Sequence, residues 1–440
     1  MKAPILKGTM VENRSKRLNP DRQNVRVVPK GLMLPFILIT SLFAWWGLAN
    51  NMTDTLLAAF KKIMSMTDFQ TSWIQVAFYG SYFCLALPAA LYIKRFTYKS
   101  GVLLGLGLFI CGALLFYPAS RSMLYSNFLI ALFILAGGLS ILETASNPYI
   151  IAMGPEETGV QRLNFSQSFN PIGSITGVII SKLFILSNLN SSGAEERAIM
   201  TGEQLTAMQS QELEAVMGPY VSVAFILIIL WIMIASVKMP RASDANQKLD
   251  FIPTFKRLLS NRNYVGGVVA QFFYVGAQIG VWSFTIRYVM KELNMNEESA
   301  STFYLAALVL FTISRFICTA LMKFIKPKNL LTVLALLGAF FTFLVITAGG
   351  YTGVIALVSI SGCMSLMFPT IYGLAVRGLG DDTKIGGSGL IMAILGGAVI
   401  TAIQAQLSDM TGSINLAYSI PLICFFVITY YSAFVRHKIA

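Results

Sequence analysis

The sequence predicts an all-α membrane protein of twelve transmembrane helices in two six-helix bundles, with both termini in the cytoplasm. Three observations carry this. Of the 440 residues 55% are hydrophobic and only 12% charged, about half the charge of an ordinary soluble domain. Apolar runs of membrane-spanning length recur from end to end. Lys and Arg fall almost entirely on one side of the resulting topology.

The spans are expected at 32–60, 69–93, 100–119, 124–151, 162–187, 218–238, 264–288, 300–322, 329–349, 352–376, 385–407 and 414–435. Only Gly349-Gly350-Tyr351-Thr352-Gly353 interrupts the run from 329 to 377, which is too long for one crossing and is therefore split there. Residues 1–31 form a basic cytoplasmic tail carrying Lys2, Lys7, Arg14, Lys16, Arg17, Arg22, Arg26 and Lys30. The tail has neither a short apolar core nor a cleavage site, so it is not read as a signal peptide. Of the 33 basic residues, only Lys61, Lys62, Arg121, Arg197, Arg287 and Lys291 lie outside, and Lys182 and Arg315 lie within spans. The net charge of +13 is thus a matter of topology and contact with anionic membrane lipids, not of nucleic-acid binding. A basic cytoplasmic linker, 239–263, divides the chain into bundles at 32–238 and 264–440, and an acid-rich loop at 188–217 lies outside. Ala90-Leu91 with Lys94 and Lys99 after the second span is faintly echoed by Ala320-Leu321 with Lys323 and Lys328 after the eighth. Two six-span halves are a recurring transporter layout.

The chain is organised around Trp46-Gly47-Leu48-Ala49-Asn50-Asn51-Met52-Thr53-Asp54 in the first span. A charged side chain at the bilayer centre costs about 2.5–3.5 kcal/mol on insertion scales, and such residues usually face an interior or a wet cavity. Trp46, Asn50 and Asp54 follow i, i+4, i+8 and share a helix face. That face is expected to line a substrate and proton pathway. A second intramembrane acid, Glu143, stands in Gly137-Gly138-Leu139-Ser140-Ile141-Leu142-Glu143-Thr144-Ala145-Ser146-Asn147-Pro148. Counting 1.5 Å per residue from the inner helix ends puts Glu143, Gln167 and Asn170 at similar depth, about 8–12 Å in. A hydrogen bond from Gln167 or Asn170 to Glu143 is therefore expected. Asp54 lies nearer the outer side, so the two acids suit a relay or two separate roles better than a dyad sharing one proton.

Gln75, Tyr79 and Tyr82 form a polar stripe in the second span, and Gln271, Tyr274, Gln278 and Trp282 form one in the seventh. Amides for hydroxyls and flat aromatics for a ring face are what a sugar requires. The expected substrate contacts are Trp46, Asn51, Gln75, Tyr79, Gln167, Asn170, Gln278 and Trp282, with no Lys or Arg among them, which favours a neutral ligand. Asp54 and Glu143 are the expected proton carriers. Gly173 and Gly177 read as close helix packing. Arg315 is expected to snorkel or pair near the cytoplasmic end, with gating as the alternative.

Other chemistries are excluded. The five cysteines lie in apolar runs, are expected to be buried, and form no CxxC pair, and the one histidine is His437. No metal or cofactor is expected. Gly386-Gly387-Ser388-Gly389 lacks a phosphate loop's lysine and a dinucleotide fold's strand and reads as helix packing. An enzyme would need a clustered nucleophile, base or metal set, and a sensor would need an appended domain.

Three motifs carry a resemblance: Ala49-Asn50-Asn51-Met52-Thr53-Asp54, Leu142-Glu143-Thr144-Ala145-Ser146-Asn147-Pro148, and Arg162-Leu163-Asn164-Phe165-Ser166-Gln167-Ser168-Phe169-Asn170. Together with Lys94-Arg95-Phe96-Thr97-Tyr98-Lys99-Ser100-Gly101, Tyr274-Val275-Gly276-Ala277-Gln278 and Phe368-Pro369-Thr370-Ile371, they make residues 31–436 resemble the L-fucose permease branch of the major facilitator superfamily. Lys94 stands where the wider superfamily has an Asp before the Arg. The resemblance implies sugar/proton symport by alternating access, with Asp54 and Glu143 handling the proton and Asn170 in the cavity. It implies a monomer in a bacterial inner membrane, most nearly a carrier of L-fucose. Glucose, galactose or N-acetylglucosamine, and sodium instead of proton coupling, remain open.

Overall fold

The computed structural model describes residues 27–64, 68–185, 197, 199–239 and 251–434, with backbone alone at 50, 53–62, 68–72, 75, 182 and 215. The expectations placed on the side chains of Asn50, Asp54 and Gln75 lie outside the described residues, as do most of the tail and residues 240–250 of the linker.

Among the described residues, twelve helices are long and apolar enough to cross a membrane. The first half contains α1 (Met33–Ile63), α2 (Asp68–Arg95), α3 (Tyr98–Ser122), α4 (Tyr125–Ala152), α5 (Gly159–Gln167), α6 (Phe169–Ile180) and α7 (Gly202–Ser236). A short helix, α8 (Phe251–Ser260), precedes the second half. That half contains α9 (Arg262–Leu293), α10 (Glu297–Leu321), α11 (Pro327–Thr347), α12 (Gly350–Met364), α13 (Met367–Val376), α14 (Thr383–Met392), α15 (Gly396–Thr411), α16 (Ile414–Ala417) and α17 (Ser419–Phe434). The fifth span is α5 plus α6, the tenth α12 plus α13, the eleventh α14 plus α15 and the twelfth α16 plus α17.

Local chemistry sets the ends. Thr97 and Ser100 cap α3 reciprocally, side chain to backbone N–H, at 3.1 and 3.0 Å. Asn296 accepts the Ser299 N–H at 2.9 Å and starts α10. The turn separating α11 from α12 uses Gly349 and Gly350 at φ +59° and +51°, where a side chain would be strained. The sixth span begins as a helix at Gly202, well before the expected 218, because Thr201 and Gln204 form a capping box that hydropathy does not register. This polar extension is anchored: Gln209 donates to the Ile63 carbonyl at 2.7 Å, and Glu212 pairs with Arg197 at 2.6 and 3.0 Å, both side chains only 2–3% exposed.

Glycines bring particular helices together. A Cβ at Gly47 would overlap the carbonyl of Asn170, and one at Gly173 the carbonyl of Ala44, so α1 and α6 touch backbone to backbone. In the second half a Cβ at Gly396 would overlap the Phe272 carbonyl and one at Gly276 the Ile400 side chain, joining α9 to α15. The first span thus pairs with the fifth as the seventh pairs with the eleventh.

The halves meet along one seam. α14 packs on α2 and α4, α13 on α5, and α10 on α5 and α6. Among the described residues these extensive contacts all lie toward the side where α2 and α4 end, the side that the basic residues assign to the cytoplasm. Tyr372, Ala375, Val376, Ile385, Leu390 and Ile391 of the second half are buried in the first half's apolar cluster. Arg377 pairs across the seam with Glu156 at 3.6 Å, in partly exposed positions worth at most about 1 kcal/mol, while Arg257 of α8 pairs with Asp382 at 2.7 Å and ties the linker helix to the second half. Burying one large apolar side chain contributes about 1.5–3 kcal/mol, so the seam is held chiefly by apolar contact. Among the described residues, the cytoplasmic side is where the two halves close on each other.

The cysteines correct the expectation of uniform burial. Cys318, Cys363 and Cys424 are buried, whereas Cys84 and Cys111 are exposed. An apolar run in a membrane has an outward face that meets lipid, so apolar sequence does not imply a protein interior.

Candidate functional site: a cavity between the halves

A cavity of about 210 Å³ lies directly outside the seam. The first half contributes Trp46 and Asn51 from α1, Tyr79 and Tyr82 from α2, Glu143 from α4, and Gln167, Asn170 and Ser174 from the fifth span. The second half contributes Val275, Gln278, Ile279 and Trp282 from α9, Tyr304, Leu308, Phe311 and Arg315 from α10, then Phe368 and Ile394. The polar groups are concentrated on the first half and the apolar ones on the second.

Each wall is positioned by its helices. The close approach of α1 and α6 brings Asn51, Asn170 and Ser174 to one surface, and both Asn51 Nδ2 and Ser174 Oγ donate to the Gly47 carbonyl at 3.3 Å. Trp46 stacks on Phe43 at 5.3 Å. The Tyr82 hydroxyl donates to Glu143 Oε1 at 3.3 Å. Glu143 is 4% exposed, and its Oε2 has no hydrogen-bond partner among the described residues. One carboxylate oxygen is therefore held by a tyrosine while the other is open to a proton. On the opposite wall Trp282 donates to Ser361 Oγ at 3.2 Å and meets Phe311 edge-on at 5.1 Å, which fixes its ring as a flat surface.

Of the residues singled out from sequence, Trp46, Asn51, Tyr79, Glu143, Gln167, Asn170, Gln278 and Trp282 line this one cavity. Gln271 and Tyr274 do not. Tyr274 donates to the Met364 carbonyl at 3.2 Å and packs on Phe368, and Gln271 is wholly buried away from the cavity. The expected bond from Gln167 or Asn170 to Glu143 is replaced. Gln167 Nε2 donates to Asn147 Oδ1 at 3.0 Å, one helical turn below Glu143, and Tyr82 serves the acid.

Arg315 overturns the expectation of a lining without cations and, of the two roles expected for it, snorkelling or pairing, takes the second. It lines the cavity, so the lining is not free of cations, and it does not snorkel, being 3% exposed. It donates from Nε to the Ser365 carbonyl and from Nη1 to the Gln167 carbonyl at 2.9 Å, and it lies over the Phe311 ring at 4.5 Å. Sequence reasoning did not select Tyr304 or Phe311, although Tyr304, Leu308, Phe311 and Arg315 follow i, i+4, i+7, i+11 and could have been found as one face of α10.

Residues 36–402 match the model of the Major Facilitator Superfamily. An L-fucose-proton symporter of Haemophilus influenzae is 40% identical over 93% of this chain and 98% of its own length. A glucose/galactose transporter of Brucella abortus is 32% identical over 89% and 92%. Among solved structures, a Major Facilitator Superfamily transporter, FucP, in the outward conformation superposes with a TM-score of 0.88 at 37% identity, covering 93% of this chain and all of that one. A match along most of the chain, on a twelve-span fold with an inter-bundle cavity, decides the family: the chain belongs to the major facilitator superfamily and is a membrane transporter, not an enzyme.

Proposed function

We infer that this protein is a proton-coupled sugar symporter working by alternating access, with L-fucose as its sugar. The observation that carries the reading is Glu143: one buried carboxylate, half satisfied by Tyr82, in a cavity whose other polar lining, apart from Arg315, is amides, hydroxyls and aromatics. The identity shared with an L-fucose-proton symporter supports the choice of sugar. A carboxylate facing a closing interface must be dehydrated, which opposes closure, and protonation removes that cost. A bound sugar satisfies the remaining polar groups, so the carrier reorients with both ligands or with neither. Arg315 directs two of its five N–H donors, Nε–H and one on Nη1, to main-chain carbonyls.

The finer assignments belong to the same reading. Glu143 and Asp54 carry the proton, Asp54 on the argument from its sequence position alone. Trp46, Asn51, Gln75, Tyr79, Gln167, Asn170, Gln278 and Trp282 contact the sugar. Bundles 32–238 and 264–440, joined by the cytoplasmic linker 239–263 and preceded by the tail 1–31, act as the two moving bodies. The working unit is a monomer in contact with the lipids of a bacterial inner membrane. A second sugar reading, glucose or galactose, is favoured by the 32% identity with the Brucella abortus transporter.

Uptake of a panel of labelled sugars into proteoliposomes tests this. Accumulation of L-fucose should follow an inward proton gradient and be indifferent to a sodium gradient. Sodium-driven uptake at constant pH overturns proton coupling. Stronger competition by glucose or galactose than by L-fucose transfers the assignment to the second reading.

A further inference from the structure

The two carbonyls that receive Arg315 have a common origin. In a continuous helix each carbonyl accepts the N–H four residues further on. Four residues after Gln167 stands Pro171, and four after Ser365 stands Pro369. Proline has no N–H and clashes with that carbonyl, so each interrupts its helix and leaves one acceptor without its donor. The interruptions are visible as the breaks separating α5 from α6 and α12 from α13. A buried carbonyl left unpaired is costly, and one guanidinium serves both. Its rigid planar donors hold two acceptors in fixed directions, whereas an ammonium is a point charge on a flexible stem.

The acceptors differ in where they belong. Ser365 lies in the same half as Arg315 and travels with it. Gln167 belongs to the other half, directly above the seam formed by contacts such as Asn164 Nδ2 to Thr370 Oγ1 at 3.2 Å and Gln161 Nε2 to the Thr319 carbonyl at 3.3 Å. Opening the cytoplasmic side separates these halves and breaks the bond to Gln167 while sparing the one to Ser365.

We propose that Arg315 is the latch of the closed cytoplasmic gate, a positioning residue that joins the halves through carbonyls released by Pro171 and Pro369. The proposal rests on the reading of the protein as an alternating-access carrier. The bond to Ser365 aims the guanidinium. The bond to Gln167 is the one made in the closed state and lost in the open one.

The test is a distance measurement by double electron–electron resonance in lipid nanodiscs. Spin labels are placed at Glu157 and Lys323, exposed on the cytoplasmic ends of the two halves, in a chain with Cys84 and Cys111 changed to Ala. The parent should show the short distance of the closed gate. Arg315→Gln should raise the ratio of open to closed by roughly tenfold or more, the scale of a lost charge-assisted hydrogen bond. Arg315→Lys should shift it less. Pro171→Ala and Pro369→Ala, which keep the guanidinium but restore a helical N–H, should each shift it in the same direction. Arg315→Gln with Pro171→Ala should shift it no further than Arg315→Gln alone, because both remove the same contact. Multiplicative effects in the double variant, or proline variants with the parent's distribution, overturn the latch. If Arg315→Gln does not fold, the proline variants decide alone. Distances are read without sugar or ion gradient, so the outcome is independent of which ligand the carrier takes.

Discussion

At the scale of single residues, the site turns on which partner each polar group finds in a dry interior. Glu143→Gln keeps a group that Tyr82 can donate to but cannot exchange a proton. It should abolish pH-driven accumulation while leaving sugar counterflow, which needs no proton release, within a few-fold of the parent. Tyr82→Phe leaves the acid without its only described donor and should slow accumulation by roughly tenfold, the scale of a hydrogen bond to a charged group. Counterflow and gradient-driven uptake measured on the same proteoliposomes check both. A Glu143→Gln variant that accumulates sugar like the parent removes the acid from the proton pathway. The acid itself was legible in the sequence because a lone carboxylate in a span is costly and therefore conspicuous. Its partner was not. Rise per residue gives depth but neither azimuth nor the tilt of each span, and Gln167 settled on Asn147, one turn away on the same face of α4.

At the scale of elements, hydropathy finds what the membrane selects and misses what it does not. The apolar spans were readable because each needs a membrane-length apolar run. The helical start of α7 at Gly202 and the helix α8 lie outside the bilayer, where no such demand acts. The breaks in the fifth and tenth spans were readable in principle from Pro171 and Pro369. What these breaks do depends on the distant Arg315, which no local pattern connects to them. Glycine spacing was more informative, since Gly173 and Gly177 do pack on α1. Gly47→Ala should push α1 off α6 at the Asn170 carbonyl, destabilising the protein by about 1–3 kcal/mol, the usual cost of overpacking. It should also weaken uptake, because Asn170 moves with the backbone that collides. Gly218→Ala, where an added Cβ meets nothing within 4 Å, is the control and should leave both unchanged. Thermal unfolding in detergent and uptake of labelled sugar report the two effects. Equal stability for the two variants would remove the backbone contact as the organiser of this wall.

At the scale of the whole molecule, a carrier must keep its closed state only slightly favoured, or it would not cycle. The seam suggests how that balance is divided. Arg377 and Glu156, which pair across the halves, are 38% and 61% exposed, so solvent and salt screen the pair. Leu390 and Ile391 are fully buried where α14 meets the first half. Breaking the ion pair should therefore cost little and exposing the apolar seam should cost much. A cysteine at Ser388, itself buried in the seam, makes this measurable through its rate of alkylation from the cytoplasmic side. In that background Glu156→Gln should raise the rate by no more than about fivefold, matching at most about 1 kcal/mol. Leu390→Ala should raise it by roughly thirtyfold or more, matching the 2–5 kcal/mol of a buried Leu truncation. High salt should reproduce most of the Glu156→Gln effect and almost none of the Leu390→Ala effect. The reverse ranking would mean that the cytoplasmic side is closed by charge and that the apolar contact merely follows. With the ranking expected here, opening is opposed mainly by water reaching an apolar face. Its energy then changes little with ionic strength, which leaves the proton and the sugar as the ligands that set the direction of transport.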